Sequence, residues 1–435
     1  MSGTNESGPS IDLERLRAAV DRRWDEQVAF LQEIVRIPSV TGNEEAVQRA
    51  IAARMSSLGF ATDVWEPDVA ALAPYAGDVG AFTSFSGRPN VVGTLEGGGD
   101  GRSLILNAHI DVVDAGDPVR WTHPPYAAEI ADGRLFGRGS CDMKAGLTAN
   151  IYAVTALREA GYRPRGRILV ESVISEEDGG AGTLACVLRG YRADGAIITE
   201  PTRLAVMAAQ GGSLVFRLHV PGLSAHGCVR DEGVSAIENF AYLHRALLDF
   251  EARRNATLDH PLYASIANKI PISIGVIHGG LWPSSVAESV AAEGRAGLVP
   301  GEDLDVFRAE FIGVVDTAAD RDPWLRDHRP TVEWFSGQFA PAEIAVDHPL
   351  VAAMREAHAA VTGSTPPVEG ATYGADMRHF LLFGNTPCVM YGAGDVRLAH
   401  FTDESIDLAE LKTATLAVAY AAGSWCGVDA DVPSR

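Results

Sequence analysis

Cysteine is rare in this 435-residue chain: Cys141, Cys186, Cys228, Cys388 and Cys426 are odd in number, widely scattered and form no CxxC pair. That argues against a disulfide framework and against a thiolate zinc cluster, and makes a reducing cytoplasm the expected compartment. Long apolar runs are also missing; none approaches the ~18 uninterrupted residues that a membrane-spanning helix needs. The opening MSGTNESGPS is polar, lacks the charged-then-apolar order of a signal peptide, and reads as a loose tail. Positive charge is in short supply, with 36 Lys+Arg against 57 Asp+Glu and a net charge of −21. Such a surface repels phosphate backbones and anionic lipid, so neither nucleic acid nor a membrane is expected as a partner. Internal repeats and low-complexity tracts are absent as well.

What is present is the composition of a globular protein, 46% apolar and 21% charged. The length exceeds what one hydrophobic core serves, so two domains are expected. Leu13, Leu16, Val20, Trp24, Val28 and Leu31 recur at helical spacing and predict a helix from residue 11 that stops near Pro38. Thr41-Gly-Asn-Glu44 reads as a capping box for a second helix to about residue 58. Strands are predicted over 90–95 and 103–110, separated by the Gly97–Gly101 turn, and over 167–174 and 195–199; helices fall at 144–160 and 180–188. This alternation predicts an α/β sheet covered by helices. From residue 211 the pattern changes to β-α-β-β-α-β, as for a small sheet with helices on one face. From Pro349 the long-helix and buried-strand style returns. The expected division is a catalytic domain over 11–210 and 338–435, with a second domain, 211–337, inserted into it.

The acidic and histidine residues fall at informative places. His109 and Asp111 sit at the end of the 103–110 strand, and Asp142 immediately precedes a helix. Glu176, Glu177 and Asp178 follow the 167–174 strand, Glu200 follows 195–199, and His400 lies a short loop beyond a strand at 386–391. In open α/β sheets, sites form just outside the carboxyl ends of strands. Imidazole with carboxylate suits zinc, cobalt or manganese. Taken singly, each residue is better read as a surface charge or a strand-end cap. Taken together, carboxylates converging on one sheet edge would repel one another unless a cation compensates them. One carboxylate between two cations can bridge them.

Six ordered stretches then carry a resemblance. They are Asn107-Ala-His-Ile-Asp-Val-Val113, Gly137-Arg-Gly-Ser-Cys-Asp-Met-Lys144, Ser175-Glu-Glu-Asp178, Thr199-Glu-Pro201, Gly222-Leu-Ser-Ala-His-Gly227 and Leu398-Ala-His400. With them the sequence resembles the M20 metallopeptidase and deacylase family, which includes acetylornithine deacetylase and succinyl-diaminopimelate desuccinylase. The resemblance implies a zinc-peptidase-like catalytic domain, with a mixed central sheet flanked by helices, and an inserted ferredoxin-like α+β lid and dimerisation domain. It implies two divalent ions per chain, zinc or else cobalt or manganese. Asp142 would bridge them, Glu177 and His400 would hold one, and His109 and Glu200 the other. Asp111 would orient the His109 imidazole. Glu176, as general base, would take a proton from the attacking water and return one to the departing amine. His226 would reach a neighbouring subunit's site and stabilise the oxyanion, which implies a homodimer.

The implied reaction is hydrolysis of a small N-acylated amine, most simply an N-acyl amino acid. Dipeptidase or carboxypeptidase action would share every ligand, and a non-catalytic binding protein or a single-metal enzyme are further alternatives. Where many relatives carry Asn-Val-Ile-Pro, this chain has Gly279-Gly-Leu-Trp-Pro-Ser-Ser285. That form resembles a branch containing a deformylase of aminopyrimidines. Arg378, in Gly370-Ala-Thr-Tyr-Gly-Ala-Asp-Met-Arg378, could grip a substrate carboxylate or pair internally with Asp376. Arg295 could meet a substrate carboxylate or serve as a partner within a sheet. Cys141 reads as packing rather than a nucleophile, His123, His278 and His379 as structural histidines, and Gly97–Gly101 as a turn without a P-loop.

Overall fold

The computed structural model describes residues 11–430, so the tail expected before them lies outside the described residues. Asp12 starts the first helix, Leu13–Arg36: its carboxylate accepts from the N–H groups of Glu14 and Arg15, a cap worth ~1 kcal/mol. Leu16, Val20, Leu31 and Ile34 are buried along one stripe of that helix. The second helix, Glu45–Ser57, does not use the expected capping box; Glu44 stands at its N-cap and makes no side-chain cap bond. The Thr41 hydroxyl instead donates to Asp111 Oδ2 at 3.0 Å, and the Glu44 carboxylate accepts two bonds from the Arg88 guanidinium at 2.7 and 2.8 Å. Side chains that would close a helix end are drawn into the site.

The main sheet runs Ala61–Trp65, Asn90–Leu95, Ile168–Val173, Leu104–His109, Ala196–Ile198, Cys388–Met390, Val206–Gln210 and Ala342–Glu343, with Val368–Ala371 also paired to Val206–Gln210. The Ile168–Val173, Leu104–His109, Ala196–Ile198 and Cys388–Met390 neighbours are parallel and the outer pairs mostly antiparallel, so the sheet is mixed. All six residues of both Leu104–His109 and Ile168–Val173 are buried, as strands covered on both faces must be. The helices Leu13–Arg36, Ala145–Glu159 and Leu408–Cys426 pack together against it. Gly146 lets Ala145–Glu159 begin against the strand end that carries Glu200, because a Cβ there would lie 2.2 Å from the Thr199 carbonyl oxygen. Among the described residues, no helix is long and apolar enough to cross a membrane.

A separate core belongs to the inserted segment. Its four antiparallel strands lie in the order Ile272–Gly279, Ser289–Leu298, Gly212–Pro221, Thr331–Phe339. The helices Ala236–Thr257 and Leu304–Arg321 complete the β-α-β-β-α-β order. Phe216, Phe307 and Phe311 are buried in that core, with Trp334 packed against it. The chain passes between the two sheets at Gln210–Gly212 and again between Phe339 and Ala342, where Ala342 pairs with Gln210. At the free edge, Ile272–Gly279 exposes Val276 and Ile277.

Candidate metal centre

Five of the predicted ligands converge where the parallel strands end. His109 terminates Leu104–His109, and its Nδ1 lies 2.9 Å from the backbone oxygen of Asp111. A carbonyl can only accept, so Nδ1 carries the proton and Nε2 is free to bind a metal. Asp142 Oδ1 is 3.0 Å from that Nε2, and its Oδ2 is 3.6 Å from His400 Nε2. Each oxygen of one carboxylate thus faces a different imidazole. Glu177 places its two oxygens 3.0 and 3.1 Å from His400 Nε2, while Glu200 lies 3.9 Å and Glu176 4.0 Å from His109 Nε2. Ligand atoms from His109, Asp142 and Glu177 all lie within 4.8 Å of one another. Groups each ~2 Å from a shared ion sit at such separations.

Electrostatics favour a cation here. Burial, reinforced by neighbouring carboxylates, pushes the Glu176 and Glu200 carboxyls well above their usual range. Burial opposes a charged His400, but its bond to Glu177 and the attraction of Asp142 outweigh that and push it up to about 9. Four carboxylates with two imidazoles form a hard-to-borderline donor set that a divalent ion would neutralise. The residues therefore fit a metal. Strained backbone occurs in and beside this set: His400 has φ +59°, and so has Ser175, just before Glu176. Left-handed non-glycine residues persist where surrounding structure imposes them.

The role expected for Asp111 is divided. Its backbone orients His109, whereas its carboxylate is 3.6 Å from Nδ1. That carboxylate accepts from the N–H groups of Glu176 and Glu177 at 3.1 and 3.2 Å and from Thr41. It therefore holds the turn that carries Glu176 and Glu177.

Arg378 does not pair with Asp376, one of the two uses expected of it. Its side chain is fully buried, and its guanidinium donates to the carbonyl oxygens of Asp78, Gln338 and Gly179. Asp376 takes none of those donors, its carboxylate accepting from Thr183 Oγ1 at 2.6 Å instead, and the buried Arg378 Nε has no partner. Arg295 donates to the Thr372 carbonyl, and its buried Nε has no partner. His226 is exposed on the inserted domain, where its Nδ1 accepts from the Cys228 N–H. None of the metal-centre groups is among its partners within one protomer. Cys141 is buried, and burial pushes its thiol well up, away from a reactive thiolate. His123 bonds Glu129 and stacks on Phe136, and burial keeps His379 neutral.

The residue most plainly missed from sequence is Glu404. Its Oε1 accepts from the N–H groups of Cys141 and Asp142 at 2.8 and 3.0 Å. Oε2 accepts from the Gly139 N–H at 3.0 Å and from Arg138 at 2.7 Å. The turn bearing Asp142 is thereby wrapped around one carboxylate four residues after His400. That His-x-x-x-Glu spacing was the available signal. The buried hydroxyl of Tyr373, in the loop before Arg378, also lacks a partner.

Known proteins resemble this chain over most of its length. A deformylase of N-formyl-4-amino-5-aminomethyl-2-methylpyrimidine from Bacillus subtilis (strain 168) is 31% identical over 404 residues, covering 88% of this chain and 90% of the relative. A probable succinyl-diaminopimelate desuccinylase from Staphylococcus aureus (strain MRSA252) is 26% identical over 330 residues, covering 70% of this chain and 78% of its own. A solved di-peptidase from Saccharomyces cerevisiae shares the fold, with a TM-score of 0.78 at 15% identity over 95% of this chain and 98% of that one. Residues 105–423, the span that contains every candidate ligand from His109 to His400, match the profile of peptidase family M20/M25/M40. The chain belongs to that family and is a metal-dependent amide hydrolase.

Proposed function

We propose that this hydrolase removes a small acyl group, formyl in the first instance, from a primary amine. The observation that carries the chemistry is Asp142 standing between His109 and His400, one oxygen toward each. It supports two divalent ions, zinc or else cobalt or manganese, with His109 and Glu200 on one side and His400 and Glu177 on the other. When bound, such ions lower the pKa of a water and polarise the amide carbonyl. The protein's part is to move the proton. Glu177 is held by His400, whereas the Glu176 carboxylate makes no close imidazole contact. Glu176 can therefore accept the water's proton and deliver it to the leaving nitrogen. Asp111, through the Glu176 and Glu177 N–H groups, keeps base and ligand in register. With all five cysteines free, a cytoplasmic setting suits the chain.

The formyl reading is favoured by the Bacillus subtilis relative, whose match spans more of this chain than that of the desuccinylase, and by the internal use of Arg378. Arg295 favours a second reading, the N-acyl amino acid. It is a largely buried guanidinium with a single protein carbonyl as acceptor, and could bind a substrate carboxylate. Turnover of the formylated aminomethylpyrimidine, of formylated, acetylated and succinylated amino acids, and of dipeptides separates these. Arg295→Gln is expected to leave the pyrimidine reaction within a few-fold. A loss of ~10–100-fold in kcat/KM confined to carboxylate-bearing substrates would favour the amino-acid reading instead.

The oxyanion donor is proposed to come from a second copy of the chain. His226 stands apart from the metal ligands of its own protomer, while the unpaired edge Ile272–Gly279 and the exposed Leu281 and Trp282 offer a surface for a homodimer. Mixing Glu176→Gln with His226→Ala protomers is expected to restore activity, because one site of each mixed dimer regains both groups. A mixture no more active than its two components places His226 in its own subunit's site or outside the reaction.

A further inference from the structure

The two passages of chain that join the domains are braced at one point, and that point also touches the turn bearing the general base. Gln210 Oε1 accepts from the backbone N–H of Arg378 at 3.2 Å, and its Nε2 donates to the Ala340 carbonyl at 3.2 Å, so one side chain spans both passages. From Arg378 the guanidinium donates to Gln338 O, at the end of the last lid strand, at 2.9 Å. It also donates to Gly179 O at 2.5 Å and to Asp78 O at 3.2 Å. Phe339 covers it, with the ring centroid 4.3 Å from its Cζ. Gly179 closes the Ser175–Gly179 turn by donating to Glu176 O at 3.0 Å. Backbone meets backbone beside it: a Cβ on Gly337 would lie 2.4 Å from Gly179 Cα.

We propose that Arg378 is a positioning residue, a clamp through which the angle of the lid sets where Glu176 and Glu177 stand over the metal centre. It rests on the reading of Glu176 as the base. A buried cation is costly to retain, and three backbone carbonyls from three segments repay it only if their relative placement matters. Arginine alone suits the task, since its planar fork reaches several acceptors at fixed angles, whereas an ammonium is a compact point charge on a flexible stem. Because Gly179 and Gly337 leave no slack between lid strand and base turn, movement of Gln338 transmits directly to the residues beyond Ser175.

The test is Arg378→Lys, assayed with metal content, kcat, KM and amide exchange measured on the same preparation. The expected result is a fully metal-loaded protein whose kcat falls ~10–100-fold with KM within a few-fold. Faster exchange is expected in residues 176–181 and 336–341 together. Wild-type kcat, or loosening of only one of those two segments, overturns the clamp. Should Arg378→Lys not fold, Gly337→Ala probes the same linkage from the lid side, where it touches no ligand. It is expected to lower kcat at constant metal content, and a folded Gly337→Ala protein of wild-type kcat overturns the proposal. Metal loading and exchange do not depend on which group is the base, so an active Glu176→Gln enzyme would defeat the mechanism while leaving the coupling between segments measurable.

Discussion

Glu176→Gln lowers kcat by ~10²–10⁴-fold, the range a positioned acid–base group contributes, while metal content stays at the wild-type level. Glutamine preserves the shape of the side chain and the backbone bond from residue 176 to Asp111. It removes only the ability to hold and pass a proton. Stability should not fall, because the substitution takes one negative charge out of a buried cluster that also contains Asp142, Glu177 and Glu200. Metal analysis beside steady-state kinetics checks both halves. Loss of metal would make Glu176 a ligand; retained turnover would remove it from proton transfer altogether.

Glu404→Ala produces the largest loss of stability. Arg138 and Glu404 are 3% and 0% exposed, so truncation leaves a buried guanidinium without its counter-charge and three backbone N–H groups without an acceptor. Breaking a buried pair in this way costs ~3–5 kcal/mol. Because two of those N–H groups belong to Cys141 and Asp142, metal affinity should also drop ~10–100-fold, as when an outer partner of a ligand is lost. Urea unfolding measures the first effect and competition with a chelator the second. Glu404→Gln, which keeps an acceptor in place, should recover part of both. An alanine variant with undiminished metal affinity would show that Arg138 and the surrounding turn hold Asp142 unaided.

Much of this was legible in the sequence because strand ends advertise themselves. Runs such as Leu104-Ile-Leu and Ala196-Ile-Ile announce interior strands, and the acid or histidine that follows each one is then placed at the sheet edge by topology alone. The β-α-β-β-α-β order of the lid was legible for the same reason: period-two and period-3.6 patterns alternate there without interruption. What could not be read was how polar side chains would share partners over long separations. Thr41 and Glu44 satisfy a local helix-cap pattern, yet tertiary partners, Asp111 and Arg88, capture both. Arg378 looks like an anion grip because its motif lies beside the site, and only the packed hinge reveals that both of its terminal nitrogens donate to backbone carbonyls. Glu404 is marked in the sequence only by its spacing from His400, because three of its four donors are backbone N–H groups and the fourth, Arg138, lies 266 residues away.

The position of Cys388–Met390 has a consequence for biogenesis. This strand, the last of the main sheet in sequence order, does not lie at a margin but slots between Ala196–Ile198 and Val206–Gln210. Until it emerges from the ribosome, the growing polypeptide carries an open seam of unpaired peptide groups through the middle of its principal layer, and lacks His400 and Glu404 as well. Such a seam invites association with other nascent chains. The full set of candidate metal ligands therefore exists only in a chain extended past this strand as far as His400.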